Sequence, residues 1–458
     1  MEKQKLFGEF SHKSLQEWNE KIITDLKGKD YNNLIWESPE NINIAPIYSR
    51  ESIEGLKGET THNHSDWEIE QALNKPTNKK VIACLNGGAS ALLLKDISAQ
   101  DIPSILEDVL IQHIQTSFKS DEIENTLDTF ITLIEKRTLD KDSIKGSLHY
   151  DPLMEGLKKG TLASDLWNKL DAIQKKADGL SAYKSISIQG QEYHNAGASA
   201  TQELAFTLAQ ISEYFANNEN LKSDKIQVSL GVSTNYFFEI AKFRSMRILW
   251  SQILKAYKKE DATLDLRAET GLRTSTIYDS HVNMLRTTSQ CMSASLGGAN
   301  TIQVNSFNAA YKKEDDFAQR MSRNTSLILK EECYFNKVSD PSAGSYYIEN
   351  LTNELAKNAW KLFQEVESQG GWIESVKTNS IQEMIEQNAL LQEDNFDKGN
   401  THLLGTNLYP NQEEEMSSKM EKPVQKDIVQ GKDFKALNTK RLSTQMELER
   451  LAKEENNA

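Results

Sequence analysis

The sequence predicts an α/β fold: a (β/α)8 TIM barrel with an N-terminal helical arm and a C-terminal helical tail. Two observations carry that expectation. From residue 80 onward, short β-rich runs alternate with amphipathic helices, which argues for a parallel sheet with helical crossovers. The alternation repeats more than five times over about 270 residues, which favours a closed barrel over an open sheet.

The elements follow in order. Residues 13–29 read as a helix, because Leu15, Trp18, Ile22, Ile23 and Leu26 recur at helical spacing. Residues 30–78 are polar and interrupted by Pro39, Pro46 and Pro76, and read as an extended arm. Residues 80–85 (KVIACL) are a strand candidate, as are 183–189 (YKSISIQ), 225–230 (KIQVSL) and 301–305 (TIQVN). A helix from about 198 carries Leu204, Leu208, Ile211 and Phe215 on one stripe. A longer one, about 235–258, should bury Phe237, Ile240, Phe243, Met246, Trp250 and Ile253. Residues 263–268 lead into a helix near 281–296, which Gly297-Gly298 should end. Residues 315–332 are helical. From about 391 the chain turns polar, with Glu413, Glu414 and Glu415 in a row, and closes on an amphipathic helix near 437–454. The expected division is an arm at 1–78, a barrel at 79–390, and a linker with a final helix at 391–458.

Bulk properties narrow the function classes. The chain has 458 residues, with 53 Lys and Arg against 67 Asp and Glu, a formal charge of −14. Bulk attraction to nucleic acid or anionic lipid is disfavoured. No apolar run is long enough to span a membrane, and the first residues lack the apolar core of a secretion signal. Cys84, Cys291 and Cys333 are odd in number and far apart, which argues against a disulfide framework or a local zinc motif. A reducing cytoplasm is the expected location.

Chemistry in such a barrel sits at the C-terminal ends of the strands. That rule singles out Gln191, Glu192, His194 and Asn195 after one strand, Glu269 after another, and Gln303 and Asn305 on a third. Glu192 and Glu269 could serve as general acid and base of a hydrolase, but barrel mouths are polar in any case because their loops meet water. His62 and His64 share a face in extended chain, as metal ligands can. Their Thr, Asn and Ser neighbours, without a third ligand, read instead as an exposed loop. Asp279-Ser280-His281 gives Asp-x-His, the start of a cobalt-ligating motif, yet Met284 stands where that motif has Gly. A helix N-terminus capped by Asp279 or Ser280 is the preferred reading. No glycine pair forms a phosphate cradle, and no nucleophile elbow is present.

At residues 264–350 the sequence becomes specific. Arg273-Thr274-Ser275, Asn283-Met284-Leu285-Arg286-Thr287, Ser295-Leu296-Gly297-Gly298 and Val304-Asn305-Ser306-Phe307 follow one another in order. Ser322-Arg323-Asn324-Thr325 and Asp340-Pro341-Ser342-Ala343-Gly344-Ser345-Tyr346-Tyr347 come next. Upstream stand Ala196-Gly197-Ala198, Glu203-Leu204-Ala205 and Ala241-Lys242-Phe243-Arg244. Together these resemble the barrel of the methylmalonyl-CoA mutase family, in weaker form from about Trp67 to Arg450. The resemblance implies a barrel that binds acyl-CoA along its axis. It also implies an adenosylcobalamin-binding C-terminal domain and a radical rearrangement between methylmalonyl-CoA and succinyl-CoA in propionate metabolism. Many bacterial members pair a catalytic chain with a related non-catalytic one.

The chain departs from the family's catalytic pattern in four places. Catalytic chains carry Gly-Tyr-His-Met-Gln-Glu-Ala-Gly-Ala; here Gln191 replaces the Tyr and Glu192 the His. An anion beside a dicarboxylic acyl group repels it. The substrate-binding Gln and Arg that follow an earlier strand are not found in Gly146-Ser147-Leu148-His149-Tyr150-Asp151-Pro152-Leu153, a run similar to that of the small subunits. The aromatic and basic segment that lines the CoA channel is missing between about residues 50 and 80, where Trp67-Glu68-Ile69-Glu70-Gln71 also resembles the small subunits. Finally, the chain ends near Arg450, where the cobalamin domain would begin.

The resemblance therefore implies a small, non-catalytic subunit with no catalytic, cofactor or metal residues of its own. It would work as a heterodimer with a large catalytic subunit that holds adenosylcobalamin. The alternative is the substrate barrel of a split mutase that works with a separate cobalamin-binding chain. Gln191, Glu192, His194, Asn195, Glu269, Gln303 and Asn305 are the expected lining of the degenerate pocket.

Overall fold

The computed structural model describes residues 10–11, 13–56, 64–260, 262–313, 315–425 and 427–457. Eight barrel strands run in one direction. They are β1 (Glu68–Asn74), β2 (Ala91–Lys95), β3 (Gln115–Lys119), β4 (Gly146–Ser147), β5 (Tyr183–Lys184 and Ile186–Gln189), β6 (Ile226–Val232), β7 (Asp265–Thr270) and β8 (Thr301–Gln303). Each pairs in parallel with its chain neighbour. β1–β2 and β2–β3 form ladders, and β3 meets β4 through Gln115–Lys145 and Phe118–Leu148. The ladder continues through β4–β5, β5–β6, β6–β7 and β7–β8. β8 then pairs with β1, Thr301 opposite Glu68, and shuts the barrel.

Two expectations at the start of the barrel are corrected. Residues 80–85 are not a strand but lie within the helix Asn78–Asn86. The Thr77 side chain caps its first turn by accepting from the Lys80 N–H, and Val81 and Cys84 point into the core. A short apolar run is ambiguous between the two periods, and here the cap decides. The first barrel strand lies earlier, at residues expected to belong to the arm. Its Glu70 faces the barrel interior, so the hydrophobic alternation that marks a strand is broken by charge.

Farther along, expectation and structure agree closely. The stripe Leu204, Leu208, Ile211 and Phe215 is buried on the helix Ala200–Asn217. Ile240, Phe243, Met246, Trp250 and Ile253 are buried on Tyr236–Ala256, but Phe237 is 47% exposed and lies edge-on to Tyr347. Gly297 caps the helix Val282–Leu296, and Gly298 takes φ +82, a left-handed value that suits glycine. At that helix's other end the expected cap is absent. His281 occupies the N-cap position without a side-chain bond, while Ser280 pairs with the Tyr311 hydroxyl. The helix expected at 315–332 is Asp316–Leu327 followed by one π turn, Ile328–Glu332.

The arm is tied to the barrel through Glu40, whose carboxylate accepts from the backbone N–H of Ala200 and Thr201 at 2.7 and 2.8 Å. Its helix, Leu15–Asp25, starts on a Ser14–Glu17 capping box and buries no residue. The tail crosses the C-terminal edge of the barrel. Leu437, Lys440 and Leu442 donate backbone N–H groups to the carbonyls of Leu157, Asn195 and Arg273. The last helix, Thr444–Asn457, begins later than its periodicity suggested, because residues 437–443 are drawn out by those contacts.

Candidate functional site

Side chains alternate in and out along each strand. Leu92, Leu94, Phe118, Leu148, Ile186 and Ile188 join the core under the helices. The opposite set fills the barrel, and it is polar. Ser117, Ser147, Ser187 and Gln227 form one hydrogen-bonded group at 3.1 Å between successive side chains.

Arg267 on β7 dominates the interior. Its guanidinium is fully buried. It donates to Glu70 of β1 at 2.6 and 2.8 Å, to Ser229 of β6 at 2.8 Å, to Glu269 of its own strand at 3.0 Å and to Gln303 of β8 at 2.6 Å. Four strands are thus bridged by one planar fork. Burial works against the charge, but Glu70 and Glu269 outweigh it and hold Arg267 above its ordinary pKa. Burial likewise works to raise Glu269, yet Arg267 and Lys95 hold that carboxyl below its ordinary value.

The residues expected to line the pocket divide between different places. Glu269, Gln303 and Asn305 belong to the Arg267 network, with Gln303 Nε2 donating to Asn305 Oδ1 at 3.1 Å. Asn305 in turn donates Nδ2 to the Thr270 carbonyl at 2.5 Å. Gln191 donates to Gln189 at 2.6 Å, and its Oε1 is buried without a hydrogen-bond partner. Glu192, mostly buried, pairs with Lys158 at 2.8 Å. Asn195 Oδ1 accepts from the Leu272 N–H at 3.0 Å, so it holds two loops together. His194 packs against Gly231 and Gly271, where any Cβ would overlap the ring. Burial, reinforced by the Lys242 and Arg273 cations, pushes its imidazole well below the ordinary range.

Sequence reading missed Arg267, Glu70, Lys95, Lys119 and His149. The signal for Arg267 lay in Asp265-Leu266-Arg267-Ala268-Glu269, which alternates charged and apolar residues as a strand facing a polar barrel must.

Other candidates resolve as structure. His62 lies outside the described residues, and His64 sits beside Asn300 Nδ2 at 3.1 Å. Among the described residues no group of His, Cys, Asp and Glu could hold a metal ion. Asp279-Ser280-His281 does not fit a corrin ligand. The His281 ring stacks on Phe307 at 4.9 Å, and the Asp279 side chain lies against Gly405.

The sequence profile of the family described as "Methylmalonyl-CoA mutase" matches residues 96–457. The chain is also 34% identical to the methylmalonyl-CoA mutase small subunit of Porphyromonas gingivalis, over 99% of this chain and 79% of that one. This chain belongs to the methylmalonyl-CoA mutase family. The methylmalonyl-CoA mutase of Rhizobium meliloti is 28% identical over 87% of this chain, which spans 64% of that relative. The methylmalonyl-CoA mutase large subunit of Streptomyces virginiae is 25% identical over 86% of this chain, which spans 62% of it. Family members thus include separately named small and large subunits.

Several residues of the motifs shared with the methylmalonyl-CoA mutase family do structural work here. Arg244 is buried against Asp340 and Glu349. Lys242 bridges Glu203 and Glu239 at 2.7 Å each, with all three side chains buried. Arg323 donates to the Gly87 carbonyl at 2.9 Å and to Gln71 at 3.1 Å. Arg273 donates to Gln392 at 3.0 Å and to the Lys440 carbonyl at 2.7 Å, which anchors the tail. The family scaffold is kept by these contacts, whatever the pocket does.

Proposed function

We propose that this chain is the small, non-catalytic subunit of an adenosylcobalamin-dependent methylmalonyl-CoA mutase. It pairs as a heterodimer with a large subunit that binds the cofactor and interconverts methylmalonyl-CoA and succinyl-CoA. The observation that carries this reading is the Arg267 fork. An acyl-CoA threaded along the axis must pass between β1, β6, β7 and β8, which the guanidinium joins. Displacing it strands buried carboxylates, a penalty of about 3–5 kcal/mol per broken pair. Glu192, at the position where catalytic members have His, faces Lys158 instead of a substrate carboxylate. The similarity to a named small subunit over nearly the whole chain supports the same reading.

The role left to such a chain is to hold and stabilise its partner. The exposed Trp18 and Ile23 of the arm helix are surfaces suited to that contact. Among the described residues no helix is long and apolar enough to cross a membrane. The three cysteines are unpaired, two of them buried, which fits the cytoplasm.

Co-expression with a full-length mutase chain tests the proposal. Activity should need both chains, and the purified small chain should show no heat of binding with methylmalonyl-CoA. Tight binding of that thioester by the isolated chain, or activity with only a small cobalamin-binding protein, overturns it.

A further inference from the structure

The C-terminal rim of the barrel interior holds two lysines, Lys95 and Lys119, that make no side-chain hydrogen bond or ion pair with any described residue. β2 ends on Lys95 and β3 on Lys119, and the two are register partners on adjacent strands. Leu94 and Phe118 point outward into the core, so alternation turns both lysines inward. The next strand adds His149. Its backbone N–H donates to the Phe118 carbonyl at 2.8 Å, and Leu148 beside it faces outward. Lys95, Lys119 and His149 therefore form a row across three adjacent strands, which lie about 4.8 Å apart in a sheet.

Such a row is unfavourable by itself. Like charges directly opposite one another on neighbouring strands repel, and a desolvated ammonium needs an anion. Lys95 and Lys119 make no side-chain hydrogen bond or ion pair with any described residue. The carboxylates that act on Lys95, Glu269 and Glu70, are already spent on Arg267 at 3.0 and 2.6 Å. Three cations against two carboxylates leave an excess positive charge in the cluster. His149 Nε2 is buried without a hydrogen-bond partner. Burial, then the cations of Arg267, Lys119 and Lys95, push that imidazole well below its ordinary range, so the ring is neutral and its proton rests on one nitrogen. Both lysines keep a minor part of their surface exposed, so the rim is reachable from solvent.

We propose that Lys95, Lys119 and His149 form a binding site for a small divalent oxyanion. One dianion between the two ammonium groups turns their repulsion into two charge-assisted hydrogen bonds. His149 Nε2–H is a third donor in the tautomer that the site selects. A monoanion leaves one lysine charge uncompensated, so the site discriminates by charge. The site rests on the ends of β2, β3 and β4, and His149 lies in the run where the resemblance places substrate-binding residues of catalytic members.

The full-length chain is titrated by calorimetry with inorganic phosphate, with malonate and with chloride at matched ionic strength, and its thermal unfolding is followed in each. Phosphate or malonate should bind and raise the melting temperature while chloride does neither. Binding of one and not the other assigns the site to phosphate-like or dicarboxylate ligands. Lys95→Gln and Lys119→Gln should each weaken binding about tenfold, the loss of one charge-assisted bond, and Lys119→Arg should keep most of it. In anion-free buffer Lys95→Gln should melt no lower than the parent, since it removes a repulsive charge. The proposal is overturned if neither dianion binds, if chloride acts equally, or if the glutamine variants bind unchanged. It is also overturned if Lys95→Gln melts lower without any anion, which marks a purely structural lysine.

Discussion

Arg267 and Glu70 stand 197 residues apart in the chain and meet at 2.6 Å inside the barrel. The pair joins β7 to β1 across β8, so it locks the seam where the last strand meets the first. Arg267→Ala leaves Glu70 and Glu269 facing one another in the interior. Loss of about 3–5 kcal/mol in urea unfolding is expected, the cost of orphaning a buried charge. A loss below about 1 kcal/mol, the range of surface pairs, shows that the fork is dispensable.

Asp151 is a second buried charge, without a cation beside it. Oδ1 accepts from the Tyr214 hydroxyl at 2.7 Å, Gln210 Nε2 at 2.6 Å and the Met154 N–H at 3.1 Å. Oδ2 accepts from the Gln189 N–H at 2.7 Å. Burial outweighs those donors and pushes the carboxyl up to about 6 from 3.8. The folded state thus keeps a proton that the unfolded state releases. This contribution to stability is fully present below pH 3.8, falls as pH rises to about 6, and is level above that. The drop is about 3 kcal/mol. Asp151→Asn should abolish this segment of the pH profile; an identical slope in the variant assigns it to other groups.

His194 and its two glycines make a steric prediction. Gly231→Ala places a Cβ 2.6 Å from the ring, so it should destabilise by about 1–3 kcal/mol. His194→Ala should relieve most of that penalty in the double variant. Strict additivity of the two changes shows that the ring does not occupy this space in solution.

The tail has a similar checkpoint. Gly160 takes φ +70, and a Cβ there collides with the Gly431 Cα. Gly160→Ala should loosen the segment near Gly431, read as faster proteolytic cutting between residues 424 and 443 with the barrel intact. Unchanged cutting shows that the tail seats without this contact.

The barrel was legible from helices more than from strands. The stripes on Ala200–Asn217 and Tyr236–Ala256 bury apolar residues on one side, and periodicity finds them. β1 was lost to the arm because Glu70 and Gln71 are answered by Arg267 and Arg323, partners remote in sequence. The run 80–85 is ambiguous because its five consecutive apolar residues, Val81 to Leu85, fit either period. The expected pocket residues came from the rule about strand ends, which finds positions but not directions. It placed Glu192 and Glu269 in one group, whereas the first pairs with Lys158 and the second with Arg267. The two lysines are not singled out by the sequence because neither β2 nor β3 is among its strand candidates.

The seam between β1 and β8 also bears on how the chain is made. Glu68 waits for Thr301, about 230 residues later, before its strand is paired on that side, an interval of tens of seconds at ordinary rates of synthesis. Throughout that time the first strand is an open edge on the nascent polypeptide. Its charges, Glu68 and Glu70, are of the kind that discourage edge-to-edge association. Glu70, which later neutralises an arginine, thus begins as a guard against aggregation at the ribosome.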